Sequence, residues 1–171
     1  MNEELFWELI EASWADSPED NEDRLDALDT NDEDELLELA DTMTDVIVHN
    51  YRERLTGLDQ ASLTVFLRIL EEKLFHLDRK EIHDYTNGSD DGFLYARGFI
   101  VFMGKAYYDK IDQDPSEATE DAECEEFIYA GYDVYEDKFA EEFPRNLVHN
   151  TASTSNENGG WDEEDDDEET L

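Results

Sequence analysis

Basic residues are scarce in this chain of 171 residues: 12 Lys and Arg stand against 50 Asp and Glu, a formal net charge of −38. Twelve scattered cations cannot form the basic face with which a protein contacts a phosphate backbone, so direct nucleic-acid binding is excluded. The same imbalance disfavours docking on anionic membranes, because like charges repel. No apolar run approaches the roughly 18 residues that a membrane-spanning helix needs. We therefore expect a protein without membrane contact.

Cysteine is almost absent as well. Cys124 is the single cysteine, which excludes an internal disulfide and is typical of a protein from a reducing compartment. The opening residues, Met1-Asn2-Glu3-Glu4, lack the cationic start of a secretory signal. We therefore expect a cytoplasmic protein. The chain also lacks the glycine-rich phosphate-binding motifs of nucleotide-binding proteins, and we predict no cofactor.

One group of side chains has residue types found in metal sites. It falls on one face of a predicted helix and consists of Glu72, His76, Arg79 and His83. This face points away from Leu74, and hence away from the core. Arg79 in its middle would repel a cation. We interpret the face as solvated and predict no metal site.

The acidic residues are spread along the whole chain. Residues 157–171 hold nine acids and no cation, yet residues 1–156 alone still carry a charge of −29. Residues 16–35 hold eleven acids and one cation. Three interpretations fit this pattern: a solvation coat adapted to a salty (halophilic) cytoplasm, an ordinary acidic protein with a charged tail, and a surface that imitates nucleic acid or binds a basic partner. Charge informs about solubility and association rather than fold, so composition leaves all three open.

Apolar residues recur at helical spacing through most of the chain, which predicts an all-α, single-domain helical bundle of about six helices. Side chains able to cap a helix precede several of the apolar stripes. The predicted helix starts are Ser17-Pro18-Glu19-Asp20, Thr30-Asn31-Asp32-Glu33, Asp59 and Ser89. The stripe from Leu36 to Leu55 predicts one long helix ending at Gly57.

Two further helices are predicted to be long. One begins at Asp59 and continues, either straight or with a kink, to Tyr85, and the other spans residues 93–111. The latter is apolar nearly all round; its run at 99–103 would also fit a buried strand, but its length and flanking spacing favour a central helix. Gly98 and Gly104 lower its helix propensity, which is typical of a place where a neighbouring helix approaches closely.

The composition changes after Pro144. A polar stretch at residues 151–156 and two glycines at 159–160 are followed by an unbroken acidic run, a composition that does not favour a packed core. We therefore predict a helical domain over residues 1–143 and a disordered, polar and acidic tail over residues 144–171.

Several segments resemble a known family. They are Phe6-Trp7-Glu8-Leu9-Ile10, the stretch at 87–93 followed by Tyr95, Arg97 and Gly104, and then Asp114-Pro115-Ser116, Glu125-Glu126 and Tyr135-Glu136. In this order they are similar to a bacterial family catalogued as domain of unknown function 4240. The resemblance covers roughly residues 3–139, and the Ser-Asp-Asp-Gly-Phe element is its most specific part. It supports the helical fold and supplies no reaction, because the family has no assigned activity.

The junction between the turn at residues 87–92 and the helix after it is the candidate ligand site. Its residues are Asn87, Ser89, Asp90, Asp91, Tyr95 and Arg97. Adjacent aspartates supply the oxygen ligands that divalent cations prefer. Arg97 falls beside the apolar stripe and needs an anionic partner, because an unpaired buried cation is costly. That partner is either a carboxylate on another helix, which we favour, or a bound anion.

Two functions of different classes follow from these features. We favour a non-enzymatic protein-interaction or regulatory module whose acidic surface binds a basic protein, with a nucleic-acid mimic as a special case. Trp161, flanked by acids, is the candidate anchor for that partner. The alternative is a metal-assisted hydrolase or phosphate-ester enzyme, in which Asp90 and Asp91 hold a cation and Arg97 contacts an anion. The oligomeric state stays open.

Overall fold

The computed structural model describes residues 1–86, 88–145 and 148–161. These residues contain eight helices and no strand, which confirms the predicted all-α class. The helices are α1 (Glu3–Ala15), α2 (Pro18–Thr30), α3 (Glu33–Thr42, continuing through a π-helical turn, Met43–Ile47, into Val48–Thr56), α4 (Gln60–His76), α5 (Lys80–Thr86), α6 (Asp90–Phe102), α7 (Lys105–Gln113) and α8 (Glu125–Phe139). A short 3-10 helix, Pro115–Glu117, follows α7. None of these helices is long and apolar enough to cross a membrane.

Three predicted capping residues begin their helices as expected. The side chains of Asp32, Asp59 and Ser89 accept hydrogen bonds from backbone N–H groups in the first turns of α3, α4 and α6. Each bond satisfies a donor that has no partner inside its helix. Ser17 differs: it precedes α2 but does not cap it, and its hydroxyl instead accepts a hydrogen bond from Asn50.

The structure has eight helices where about six were predicted, because two predicted helices are each divided. The first division, at residues 77–79, separates α4 from α5. Leu77 and Asp78 are both buried there, and the Asp78 carboxylate accepts hydrogen bonds from backbone N–H groups at residues 154–156. An aspartate that bonds backbone groups elsewhere offers the chain an alternative to continuing the helix.

The second division separates α6 from α7 at Gly104. Its φ of 98° lies in the region that favours glycine, and a Cβ at this position would overlap the carboxylate of Glu11. Gly98 has the role predicted for it, because a Cβ there would lie 2.8 Å from the carbonyl oxygen of Cys124 and from the side chain of Ile128. Gly98 therefore permits the close approach of α8.

Helix α6 is the centre of the core. The ring of Phe102 stacks on Phe127 of α8 with centroids 4.3 Å apart, and Tyr51 of α3 lies 4.9 Å from the Phe127 ring. Trp14 of α1 donates its indole N–H to the Phe102 carbonyl at 2.7 Å. Burial of these large rings supplies much of the driving force for folding. The predicted central position of this segment is thus observed.

The C-terminal segment differs from the prediction. Residues 148–161, which we call the strap, lie against α4, α5, α6 and the break between α4 and α5. They form hydrogen bonds to the buried side chains of Arg97 and Asp78 and to backbone groups. The prediction that the chain is disordered from residue 144 onward is therefore wrong for the strap. The physical reason is that the strap's polar backbone finds charged partners in the body, so it does not need an apolar face of its own. The acidic run at 162–171 lies outside the described residues.

Candidate functional site

The predicted site lies where α6 begins, beside the strap. Asp90 and Asp91 occupy the first turn of α6 with exposed side chains. Carboxylates are favourable at this position because the N-terminal end of a helix carries partial positive charge. Asn87, the first residue of the predicted set, lies outside the described residues.

Arg97 is fully buried and donates hydrogen bonds to four neutral oxygens. One terminal nitrogen donates to the Leu74 carbonyl at 2.9 Å; the other donates to the Thr151 carbonyl at 2.9 Å and to the Ser153 hydroxyl at 3.2 Å. The remaining nitrogen reaches the Phe93 carbonyl at 3.4 Å. The guanidinium also lies 4.7 Å from the Phe93 ring centroid. Two of these four acceptors belong to the strap.

The charge of Arg97 is balanced over a longer distance by Asp78. Burial lowers the pKa of Arg97 to about 10, and the attraction of the Asp78 carboxylate opposes this decrease. The guanidinium therefore stays protonated at neutral pH. The sequence led us to expect a carboxylate in direct contact; instead carbonyl oxygens fill that position, since the strap backbone lies over the guanidinium.

Asp78 holds the strap by its backbone. The fully buried carboxylate accepts hydrogen bonds from the N–H groups of Thr154, Ser155 and Asn156 at 2.9, 2.7 and 2.9 Å. Hydrogen bonds to an ionised acceptor are stronger than those between neutral groups. Three of them on one carboxylate make Asp78 the principal anchor of the strap.

Ser153 connects the two sides of this arrangement. Its hydroxyl accepts from Arg97 and donates to the carbonyl oxygen of Asp90 at 2.6 Å. The contribution of Asp90 to this network is thus a main-chain oxygen, while its carboxylate remains exposed. The strap is thereby linked to the first turn of α6.

Trp161 closes the strap on the body of the protein. Its ring lies 5.8 Å from Phe93 and 5.6 Å from His83, both edge to face. The indole N–H donates to the Asp78 carbonyl at 3.1 Å. A Cβ at Gly159 would overlap that same carbonyl, so the strap approaches too closely for a larger residue. Trp161, which the sequence suggested as an anchor for a partner, contacts its own chain in this structure.

Tyr95 lies on another side of α6. Its hydroxyl is hydrogen-bonded to Glu125 at the beginning of α8, and this bond is the main cause that raises the pKa of Tyr95 to about 12. Residues two apart on a helix do not face each other, which separates Tyr95 from Arg97 and the strap. Tyr95 therefore belongs to the packing of α8 on α6.

The predicted carboxylates and Arg97 do not share a ligand cavity. Asp90 and Asp91 are exposed, whereas Arg97 is covered by the strap. Across residues 1–86, 88–145 and 148–161, no group of three or more His, Cys, Asp or Glu side chains is placed to hold a metal ion. The geometry does not support the cation and anion roles that the hydrolase hypothesis gave to these three residues.

The face with metal-site residue types is also divided by the break between α4 and α5. His76 contacts the carboxylate of Asp112 at 3.0 Å, and Arg79 donates to the same oxygen at 2.7 Å. His83 instead contacts the carbonyl of Gly88 at 2.9 Å. The two histidines therefore have different partners.

Sequence reasoning missed Asp78 and the backbone of the strap. The segment at 151–160 is short, polar and rich in small residues, a composition shared by linkers, so it gave no packing signal. Two weak signals were present. Asp78 directly follows the apolar stripe that ends at Leu77, and Trp161 is a large apolar ring near a polar end, which is most stable when covered.

A family model described as Protein of unknown function (DUF4240) matches residues 34–137. That span includes Asp78 and Arg97 and ends before the strap. No curated protein and no solved structure matches the chain.

Proposed function

This chain belongs to the family of proteins of unknown function DUF4240, and from its surface chemistry we propose that it is a non-enzymatic cytoplasmic interaction module that binds a basic protein. The proposal rests on how the few cations are used. If every cation is engaged within the chain, the surplus of carboxylates is left for solvent or for a partner.

All 12 Lys and Arg lie in the described part of the chain, and each has a partner within it. Nine form ion pairs with carboxylates: Arg24, Arg52, Arg54, Arg68, Lys73, Arg79, Lys80, Lys105 and Lys110. Arg97 and Lys138 donate to backbone carbonyls, and Arg145 lies 3.6 Å from the ring centroid of Tyr132. This full engagement is the observation that carries the proposal.

The surface of α2 illustrates the surplus. Residues 16–35 hold eleven acids and one cation, Arg24. Arg24 is 3% exposed and directs its charge to Glu11 of α1 and to the Met103 carbonyl. The exposed acids of α2 therefore have no cation of their own helix beside them. A basic protein would supply the missing opposite charge.

Such a surface acts mainly on association rate. A strongly negative surface attracts a basic partner over about a Debye length, roughly 8 Å at physiological salt, and thereby raises the association rate. The resulting complexes should weaken steeply as salt increases. The acidic run at 162–169 adds further negative charge to the chain and would add to this attraction.

A capture experiment tests the proposal. The full-length chain is immobilised, exposed to a lysate at about 0.15 M salt, and eluted with a gradient to about 1 M salt, where the Debye length falls to roughly 3 Å. Polyglutamate of similar charge density is the matched control. We expect a small set of basic proteins on the chain that polyglutamate does not retain, because three-dimensional placement of charge adds specificity.

Identical protein lists from the chain and from polyglutamate would overturn the proposal and leave the acid as a solvation coat. Unfolding by urea at both salt concentrations supplies the complementary measurement. A steep gain in stability toward molar salt, with no partner retained, favours salt adaptation. If added duplex DNA releases the retained proteins, the module is the special case of a nucleic-acid mimic.

A further inference from the structure

An apolar groove runs along one side of α1, next to the turn that joins α3 to α4. Its volume is about 670 Å³. Its apolar lining comes from Met1, Leu5, Leu9, Ala12 and Leu58. Leu5, Leu9 and Ala12 lie on the same face of α1 and span about 10.5 Å, or two helical turns. A groove between two elements, with apolar positions at this spacing, has the form that accepts an amphipathic helix.

The groove is open to solvent. The side chain of Leu5 is 45% exposed, and Leu9 and Leu58 are only partly buried. Covering apolar surface is favourable because it removes that surface from water. A partner that places apolar side chains here therefore gains affinity that charge alone does not provide.

The rim of the groove is negative. Glu8 and Glu53 both line it with exposed side chains. Among the side chains that line the groove, the one cation is Arg54, which is held by both carboxylate oxygens of Asp16 at 2.7 and 2.8 Å. A paired, bidentate arginine offers little to an acidic ligand, so the charge of the rim favours a basic one.

The opposite side of α1 continues this surface. A second groove of about 540 Å³ is floored by Trp7 and bordered by Glu3, Glu4, Glu8 and Glu11. Its cation, Lys105, is paired with Asp109 at 2.5 Å. Glu8 lines both grooves, so apolar surface lies on either side of an acidic ridge.

We propose that the apolar groove beside α1, lined by Leu5, Leu9 and Leu58, docks an amphipathic basic helix of the partner. The apolar side chains of that helix would lie in the groove, and its Lys or Arg side chains would pair with Glu8 and Glu53. This inference rests on the proposed binding of a basic protein and names the place and the form of the contact. A second copy of the chain is a poorer occupant, because two surfaces of this negative charge repel each other.

Two synthetic probes separate apolar docking from simple charge attraction. Both are peptides of about 14 residues, roughly four helical turns. One carries Leu at helical spacing among Lys residues, and in the other every Leu is replaced by Ser. Binding to the full-length chain is measured by fluorescence anisotropy at about 0.15 M salt. We expect the Leu/Lys peptide to bind at least about tenfold more tightly.

Substitutions on the chain locate the contact. Leu5→Ser and Glu8→Gln should each weaken the Leu/Lys peptide about five- to tenfold, the effect of losing roughly one good contact. The matched controls are Leu25→Ser and Glu22→Gln on α2, where Leu25 is 52% exposed and Glu22 is also exposed. Each control removes the same group from outside the groove, and binding should change less than about twofold. Circular dichroism verifies that all four variants remain folded.

The outcomes have distinct meanings. If neither peptide binds, both the docking site and the proposed function fail. Equal binding of the two peptides, or equal effects at α1 and α2, overturns the groove and leaves charge-driven binding intact. Sedimentation of the free chain covers the remaining case: a dimer that Leu5→Ser converts to monomer would assign the groove to a second copy and overturn the inference.

Discussion

Two arginines are buried beside α6, one near each end of the helix, and they are held in different ways. Near the C-terminal end, Arg24 is paired with Glu11 at 2.6 Å and donates to the Met103 carbonyl at 3.2 Å. Near the N-terminal end, Arg97 donates to neutral oxygens of α4, α6 and the strap. The first cation is paired with a carboxylate that is 45% exposed, whereas the second is itself fully buried beneath the strap.

The difference concerns what remains when the cation is removed. Without Arg24, water can hydrate the half-exposed Glu11, and one buried carbonyl, that of Met103, loses a donor. Without Arg97, the carbonyls of Leu74 and Thr151 lose buried donors, and Asp78 loses its positive neighbour. An unsatisfied buried polar group is more costly than an exposed one. A buried arginine thus contributes most where its partners cannot turn to solvent.

The largest expected effect is that of Arg97→Met. This change keeps much of the side-chain volume but leaves a buried carboxylate without its compensating charge, and we expect a loss of about 3–5 kcal/mol in the free energy of unfolding. Urea denaturation at neutral pH measures it. A loss below about 1 kcal/mol would show that the strap does not depend on Arg97.

Asp78→Asn should have the next largest effect. The amide keeps one acceptor oxygen but no charge, so three backbone N–H groups share a weaker partner. We expect a loss of about 2–3 kcal/mol in the free energy of unfolding. Tryptophan fluorescence should report release of Trp161 before the body unfolds. Asp84→Asn is the matched control: Asp84 is exposed and lies 3.6 Å from Lys80, so its effect should stay within about 0.5 kcal/mol.

Arg24→Met tests the other end of α6. The change removes one charge-assisted hydrogen bond and one hydrogen bond to a carbonyl. We expect a loss of about 1–2 kcal/mol in the free energy of unfolding, because water can hydrate Glu11. The loss for Arg24→Met should therefore be smaller than the loss for Arg97→Met. Equal losses for Arg24→Met and Arg97→Met would contradict the role assigned to solvent access.

The smallest expected effect is that of Glu11→Gln, and it should depend on salt concentration. Glu11→Gln should lower the free energy of unfolding by roughly 0.5–1 kcal/mol at about 0.15 M salt, and the difference from the wild type should shrink at about 1 M, because salt screens an exposed charge. The corresponding difference for Arg97→Met should change little, since buried charges are screened much less. Parallel urea titrations at the two concentrations compare them directly.

Local signals predicted the helical class and many helix starts correctly. Asp32, Asp59 and Ser89 cap their helices as expected, since a cap requires only a side chain and the N–H groups two or three residues later. The long α3 ends next to Gly57, as the apolar stripe indicated. The number of helices was wrong because the breaks at 77–79 and at Gly104 depend on contacts with the strap and with Glu11.

The candidate site was predicted only in part. The sequence identified Arg97 as a cation that needs a partner, and the structure shows it buried. Three of its four acceptors, Leu74, Thr151 and Ser153, are 23 to 56 residues away. Leu74 and Thr151 accept through backbone oxygens, which are present at every residue, so residue type could not single out these two acceptors. Only the folded chain selects them.

The sequence alone determined the helical periodicity, the caps and the surplus of carboxylates, because each follows from residue type and short-range spacing. The tertiary structure alone decided that the strap covers Asp78 and Arg97, that Trp161 packs on its own chain, and that every lysine and arginine is engaged. These contacts are formed between residues that are distant in sequence. Their contribution to stability depends on charges and backbone groups being removed from water together, which residue type alone does not specify.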